Sequence, residues 1–303
     1  MRLTITPVPP FDFDLSARIF GDGDEQIRKY ENGRYWQVIR AGDKLFLVTV
    51  KSSGSVDAPS LQVELKSDAE ISVTDRQKIE EVIGSLLNLG LDLEAFYKEV
   101  KSDRVMSAIA GKLRGLRSPT TPTVFESLVS SIIEQQISLI VAHGMERKVV
   151  RSFGDALTVE GKAYYAFPTA ERLASVTIEQ LRQCGLSLRK AEYIIGAAKS
   201  IAGGDLDLEG LKEIEDTSAV IDVLLKIRGI GLWTAEMTVL RGMHRVEEMP
   251  ADDLGLRKCI AHYYRKDSRI SADEARRIAQ RWGRWKGLAA FYLIIAEHLG
   301  IEV

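Results

Sequence analysis

The residues able to do chemistry are few, and most lie in the last third of the chain. Two carboxylates, Asp252 and Asp253, follow Pro250-Ala251 and precede the run Leu254-Gly255-Leu256-Arg257-Lys258-Cys259-Ile260. An aspartate there satisfies orphan N–H groups as a helix N-cap, and a carboxylate in the same place is also suited to stabilising developing positive charge. Upstream, Leu224-Leu225-Lys226-Ile227-Arg228-Gly229-Ile230-Gly231-Leu232-Trp233-Thr234-Ala235 reads as an apolar helix end, a Gly-x-Gly turn and an immediate new helix. The glycines permit positive φ and leave the backbone bare, so N–H groups opening the second helix can meet a phosphate oxygen. Such contacts hold a nucleic-acid backbone without reading its sequence. A Gly-x-Gly on its own is equally an ordinary connection between core helices. Cys184 and Cys259 provide neither a disulfide framework nor a four-thiolate metal site. His143, His244, His262 and His298 show no zinc-ligand spacing with carboxylates or thiols.

The elements that must position these groups divide the chain in two. Up to about Lys66 the pattern is that of an antiparallel sheet, with candidate strands at 2–6, 34–40, 44–50 and 61–65, the second and third joined by the turn Ala41-Gly42-Asp43. Thr74 with Gln77 forms a capping-box pattern ahead of a helix burying Ile79, Val82, Ile83 and Leu86 and stopping at Gly90. A second helix is expected from Asp92 into Lys101. Strand signals end before Ser118-Pro119-Thr120-Thr121-Pro122, and helical periodicity runs from there to the C-terminus. Thr123 with Glu126 caps a helix carrying Phe125, Leu128, Ile132 and Ile133, and Thr177 with Gln180 caps another. The expected fold class is α+β: a β-rich domain over 1–112, then a two-lobed all-helical domain over 113–303.

Composition bounds the function class more loosely. The 303 residues suffice for two or three compact units. No apolar run reaches the roughly 18 residues of a membrane span, and no signal-peptide pattern follows Met1, which points to a protein that is not secreted and has no membrane partner. A net charge of −2 looks wrong for a protein that touches phosphates, where basic surface supplies much of the affinity. The charge is segregated, however. Between Leu225 and Lys286 there are 14 Lys or Arg against 8 Asp or Glu.

Several motifs together resemble the helix-hairpin-helix (HhH-GPD) DNA glycosylase superfamily, in which such a hairpin precedes a Gly/Pro-containing loop ending in an essential Asp. Those motifs are Glu134-Gln135-Gln136-Ile137-Ser138, Gly185-Leu186-Ser187 with Lys190-Ala191-Glu192-Tyr193, the hairpin at 224–235, and the loop at 245–256 containing Pro250-Ala251-Asp252-Asp253-Leu254-Gly255-Leu256. Within the superfamily the chain looks most like the 3-methyladenine DNA glycosylase II (AlkA-type) branch, with the strongest match from Thr123 to Leu288.

The resemblance implies a role for each residue, beside a plainer alternative. Asp253 becomes the catalytic carboxylate, stabilising the oxocarbenium-like transition state and orienting water, with Asp252 supporting or at the surface. Gln136 becomes the wedge that fills the space left by a flipped base; the alternative is a polar residue on the exposed face of the Phe125 helix. Trp233, with Met237 and Tyr292, is placed in the base pocket, where an indole face attracts an electron-poor alkylated base; the plainer reading is a core aromatic. Gly229, Gly231 and Thr234 are placed on the DNA phosphate. The carbonyls of Leu225, Ile227 and Ile230 would hold a sodium or potassium ion at the hairpin, with no organic cofactor. Trp233 also stands where bifunctional relatives carry a Schiff-base lysine, so lyase activity is not expected. Iron–sulfur relatives carry four clustered cysteines, which this chain lacks. Trp282 and Trp285 read as core, and Ile294 stands where some relatives have a further pocket tryptophan.

The expected function is monofunctional hydrolysis of the N-glycosidic bond of alkylated purines, of the 3-methyladenine type, in duplex DNA during base excision repair. The expected partner is duplex DNA with a damaged base, met by a monomer in the cytoplasm, on the nucleoid, or in a nucleus. A glycosylase for hypoxanthine or other lesions is one alternative. A non-enzymatic hairpin module is the other: it accounts for Gly229 and Gly231 but not for Asp253, Trp233 and Gln136 together.

Overall fold

The computed structural model describes residues 1–21, 23–265 and 269–303. The first part of the chain runs β1 (Arg2–Ile5), α1 (Phe13–Phe20), β2 (Arg28–Glu31), β3 (Arg34–Ala41), β4 (Lys44–Ser52), β5 (Leu61–Lys66) and α2 (Val73–Leu86). Among the described residues the five strands form one antiparallel sheet in the order β1-β5-β4-β3-β2. Side chains alternate across it, so Leu61, Val63 and Leu65 of β5 are buried while Gln62 is exposed. That buried face packs on Ile79, Ile83 and Leu86 of α2. The capping box of α2 is Ser72 with Asp75, not Thr74 with Gln77. The Asp75 carboxylate accepts from the Ser72 N–H at 2.9 Å and pairs with Lys44 of β4 at 2.8 Å, so a contact from the sheet helps fix the helix start.

Helices α3 (Leu93–Glu99), α4 (Arg104–Lys112), α5 (Val124–Glu134) and α6 (Leu139–Phe153) follow. The next segment corrects the all-helical expectation: β6 (Ala156–Val159) and β7 (Lys162–Tyr165) form an antiparallel ribbon. Glu160 and Gly161, at φ of 52° and 79°, make the two-residue turn with positive φ at both positions that such ribbons favour. Leu157 packs with Val38 and Leu47 of the large sheet, and Lys66 pairs with Glu160 at 2.7 Å. Then come α7 (Ala170–Ala174), α8 (Ile178–Gln183), α9 (Leu188–Ala202), α10 (Thr217–Leu224), α11 (Leu232–Gly242), α12 (Leu254–Arg265), α13 (Ala272–Ala279) and α14 (Lys286–His298).

Two apolar cores organise these helices. One joins α5 and α6 with α7 to α11, and we refer to it as the hairpin lobe. The second joins Met249 and Ala251 with α12, α13 and α14, and it also takes Leu93, Phe96, Met106 and Ile109 of α3 and α4. Packing thus runs straight across residue 112, where the sequence pattern places a boundary. Trp282 and Trp285 are buried in this second core. The buried Arg117 guanidinium ties the linker to the N-terminal part by donating to the carbonyls of Asn88, Leu91, Val8 and Pro10.

Candidate active site and hairpin

Asp253 sits where one lobe meets the other. Its backbone N–H donates to the Pro250 carbonyl at 2.9 Å, and the next turn begins α12. Oδ1 accepts the Leu256 N–H at 2.8 Å, the N-cap contact that its place before Leu254 predicts. Oδ2 accepts the indole N–H of Trp233 at 3.1 Å. A helix start in one lobe and the first turn of α11 in the other therefore orient both carboxylate oxygens. Asp253 is half-buried, so a substrate can still reach it. Asp252 turns away, exposed and paired with Arg276 at 2.7 Å.

The loop that delivers Asp253 is fixed by its backbone and by two of its own side chains, Arg245 and Glu247. Gly287 donates its N–H to the Val246 carbonyl at 2.7 Å, and a Cβ there would lie 2.3 Å from the Glu248 carbonyl oxygen, so α14 packs directly on the loop. Arg245 donates to the Glu215 carbonyl at 3.0 Å and to the Thr217 hydroxyl at 2.8 Å, and that hydroxyl donates to Glu247 at 2.6 Å.

The two hairpin glycines do different work. Gly229 has φ of +87°, and a Cβ on it would stand 2.3 Å from the Tyr193 ring. Gly231 has φ of −96°, which any residue adopts, and a Cβ on it would meet nothing within 4 Å. Gly231 is the N-cap of α11 and brings no side chain to the first-turn N–H groups, which lack intrahelical partners by helix geometry. The bare backbone is turned to open space.

Beneath the hairpin lies a segment to which the sequence pattern gives no individual roles, Lys190-Ala191-Glu192-Tyr193 on α9. Tyr193 supports Gly229, Glu192 pairs with Arg228 at 2.9 Å, and the Arg228 guanidinium lies 5.8 Å from the Tyr193 ring centre. The Lys190 ammonium donates to the carbonyls of Ile133 and Gln135 at 2.8 and 2.7 Å. Glu134 takes two hydrogen bonds of 2.8 Å from Arg241 of α11. Gln135 donates its side-chain amide to the Gly229 carbonyl at 3.1 Å and to the Thr234 hydroxyl at 2.9 Å. Its place in the Glu-Gln-Gln motif was the only sequence signal for that tie.

The structure brings some of the expected residues together and not others. Gln136 is exposed at φ of +57°, in the turn past α5 and not on a helix face. Met237 is buried one turn beyond Trp233 on α11. Thr234 is 2% exposed with its hydroxyl accepting from Gln135, so the hydroxyl is turned inward and does not face the open side of the hairpin. Tyr292 does not line the site. It is fully buried in the second core, donates to the Leu116 carbonyl at 2.7 Å and packs edge-on to Phe96. The Ile227 carbonyl accepts the Ile230 N–H at 3.1 Å, and Leu225 is the C-cap of α10.

One titratable group near the loop went unremarked in the sequence pattern. Glu236, a turn beyond Trp233, is 4% exposed and one of its oxygens, Oε2, has no hydrogen-bond partner. Burial pushes its carboxyl up to about 8, against the pull of Arg276, so it is largely neutral at pH 7. Two concavities elsewhere, one beside His143 and Glu146 and one beside Phe125 and Leu206, include none of these groups.

Comparison with known proteins bears on this arrangement. Residues 129–284 match the model of the HhH-GPD superfamily of base excision DNA repair proteins. A DNA-3-methyladenine glycosylase of Bacillus subtilis is 32% identical over 94% of this chain and 94% of its own length. The solved 3-methyladenine DNA glycosylase of Archaeoglobus fulgidus superposes with a TM-score of 0.87 at 28% identity, covering 99% of this chain and all of that one. The fold is shared as well by Schizosaccharomyces pombe Mag1, solved in complex with abasic DNA, at 24% identity and a TM-score of 0.58 over 69% of this chain and 99% of that one.

Proposed function

This chain belongs to the HhH-GPD superfamily of base excision DNA repair proteins, and from that premise we propose that it is a monofunctional glycosylase releasing alkylated purines from duplex DNA, with Asp253 as its catalytic carboxylate. It is a DNA glycosylase of the 3-methyladenine branch. The observation that carries the finer reading is the hydrogen bond of 3.1 Å between Trp233 and Asp253. It puts an indole and a carboxylate side by side, as an electron-poor base and its sugar require.

In the proposed reaction the bond between C1′ and the base nitrogen breaks, and its electron pair leaves with the base, neutralising the charge that alkylation placed there. Positive charge grows on the sugar, where Asp253 stabilises it and orients the incoming water. Water adds its oxygen at C1′ and gives up a proton to solvent, by way of the Asp253 carboxylate beside it, leaving an abasic site. The Trp233 face attracts a cationic base over a neutral one by about 0.5 to 2 kcal/mol. Gln136 fills the gap left in the duplex. The first-turn N–H groups of α11, below the open face of Gly231, hold a phosphate. The carbonyls of Leu225, Ile227 and Ile230 are neutral oxygen donors of the kind a sodium or potassium ion takes, and the Ile227 oxygen keeps a second lone pair after accepting from Ile230. One chain supplies Trp233, Asp253 and Gln136, so a single copy suffices.

The test is a panel of duplexes, each carrying one lesion, incubated with the protein and then heated in alkali. N-methylated purines are expected to give breaks only after alkali. Breaks without alkali overturn the monofunctional reading, and breaks confined to hypoxanthine duplexes overturn the alkylpurine one.

A further inference from the structure

The turn joining α5 to α6 is braced more heavily than a short connection needs. Gln136 holds a left-handed backbone, which a residue bearing a Cβ keeps only when its surroundings impose it. The constraint sits one residue earlier. The carbonyl of Gln135 belongs to the same peptide plane as the N–H of Gln136, and Lys190 Nζ grips that carbonyl at 2.7 Å. The same ammonium holds the Ile133 carbonyl at 2.8 Å, in the last turn of α5, where a cation meets the negative end of the helix. On the other side of the turn, the Gln135 side chain is tied to Gly229 and Thr234 of the hairpin at 3.1 and 2.9 Å.

An ammonium is a costly way to close a turn. Burial pulls Lys190 below the usual lysine range, and the hydrogen-bond partners of its ammonium are two carbonyls and no carboxylate. A neutral cap would finish α5 equally well. What the charge adds is a fixed peptide plane immediately ahead of the exposed Gln136 at the tip of the turn.

We propose that Lys190 is a positioning residue for base flipping: by clamping the peptide plane that precedes Gln136, it holds the wedge in its inserting geometry and joins it to the hairpin that grips the backbone. The inference rests on the reading of Gln136 as the wedge. A side chain ordered in advance does not lose that freedom on entering the duplex, so Lys190 governs extrusion of the base and leaves bond cleavage alone.

The experiment measures single-turnover excision of one N-methylated purine from two duplexes, one with the lesion paired and one with it opposite an abasic site, where extrusion costs little. Lys190→Met is expected to slow the paired duplex about tenfold and the unpaired one less than about twofold. Lys190→Arg, which keeps charged donors, restores most of the paired rate. In a Gln136→Ala background Lys190→Met is expected to add almost nothing, since it acts through the side chain already removed. If Lys190→Met does not fold, Lys190→Gln, which retains a neutral donor, is read by the same ratio. Equal slowing of both duplexes, or the same loss with and without Gln136, overturns the positioning role. A Gln136→Ala protein with an unchanged paired rate overturns the wedge reading itself, and the inference with it.

Discussion

The hairpin at 224–235 and the loop at 245–256 solve opposite problems. The hairpin presents backbone and is held by side chains that belong to its neighbours: Tyr193 under Gly229, Gln135 on the Gly229 carbonyl, Glu192 on Arg228. The loop presents one side chain and is held by groups of its own, through backbone bonds from Gly287 to Val246 and from Asp253 to Pro250 and through the side chains of Arg245 and Glu247. On the proposed reading, a surface that must fit any stretch of DNA is built from what all residues share. On the same reading, the group that meets one carbon atom is a single side chain with both oxygens oriented. The two regions touch in one hydrogen bond, from Trp233 to Asp253.

If that division is correct, substitutions in the two regions fail in different ways. Asp253→Asn is expected to lower single-turnover excision about a thousandfold while DNA affinity, read by anisotropy, stays near wild type; normal turnover would remove Asp253 from the chemistry. Gly229→Ala forces a Cβ into the Tyr193 ring at positive φ and is expected to cost about 3 kcal/mol of stability in denaturant unfolding. Trp233→Phe keeps a ring but removes the N–H donor, with an expected slowing of about tenfold; an unchanged rate would mean that the bond joining the two regions is incidental. Gly231→Ala should leave the unfolding midpoint untouched and weaken DNA binding by about fivefold. Were it instead to unfold the protein, the contrast between the glycines would collapse.

The smallest expected effect concerns pH. The Glu236 carboxyl titrates at about 8 in the folded protein against 4.5 for an unperturbed one, so the unfolded chain releases its proton first as pH rises. Its influence on stability therefore worsens between pH 4.5 and about 8. Glu236→Gln is expected to shrink the difference in thermal midpoint between pH 5 and pH 8 by about 3 °C. Glu126, also pushed up to about 8 by burial, contributes with the same sign.

Much of this was legible in the sequence because glycines, prolines and aspartates at fixed spacing leave few local geometries open. The hairpin and the loop were of that kind. Tyr292 was not, since α14 is buried on nearly every side and its periodicity cannot say which face meets the site. Thr234 carries the same lesson at smaller scale: a hydroxyl in the first turn of a helix reads as a phosphate ligand, and only the fold shows it turned inward to Gln135. The β6–β7 ribbon escaped notice because strands of four residues give too short an alternation to register. The bracing by Lys190 and Gln135 joins residues 55 apart in the chain, and no local pattern carries such a pairing.

The β6–β7 ribbon also bears on what can be cut away. It lies in sequence within the repair-protein region, yet Leu157 shares a cluster with Val38 and Leu47 of the large sheet, and Gln26 donates its side-chain amide to the Ala163 carbonyl at 2.8 Å. Helices α3 and α4, on the far side of residue 112, fill the core against which α12 and α14 pack. A fragment beginning at 113 would carry two raw apolar surfaces, one from each missing neighbour. Anyone wishing to graft this glycosylase onto another protein should join at the chain ends and keep the sheet.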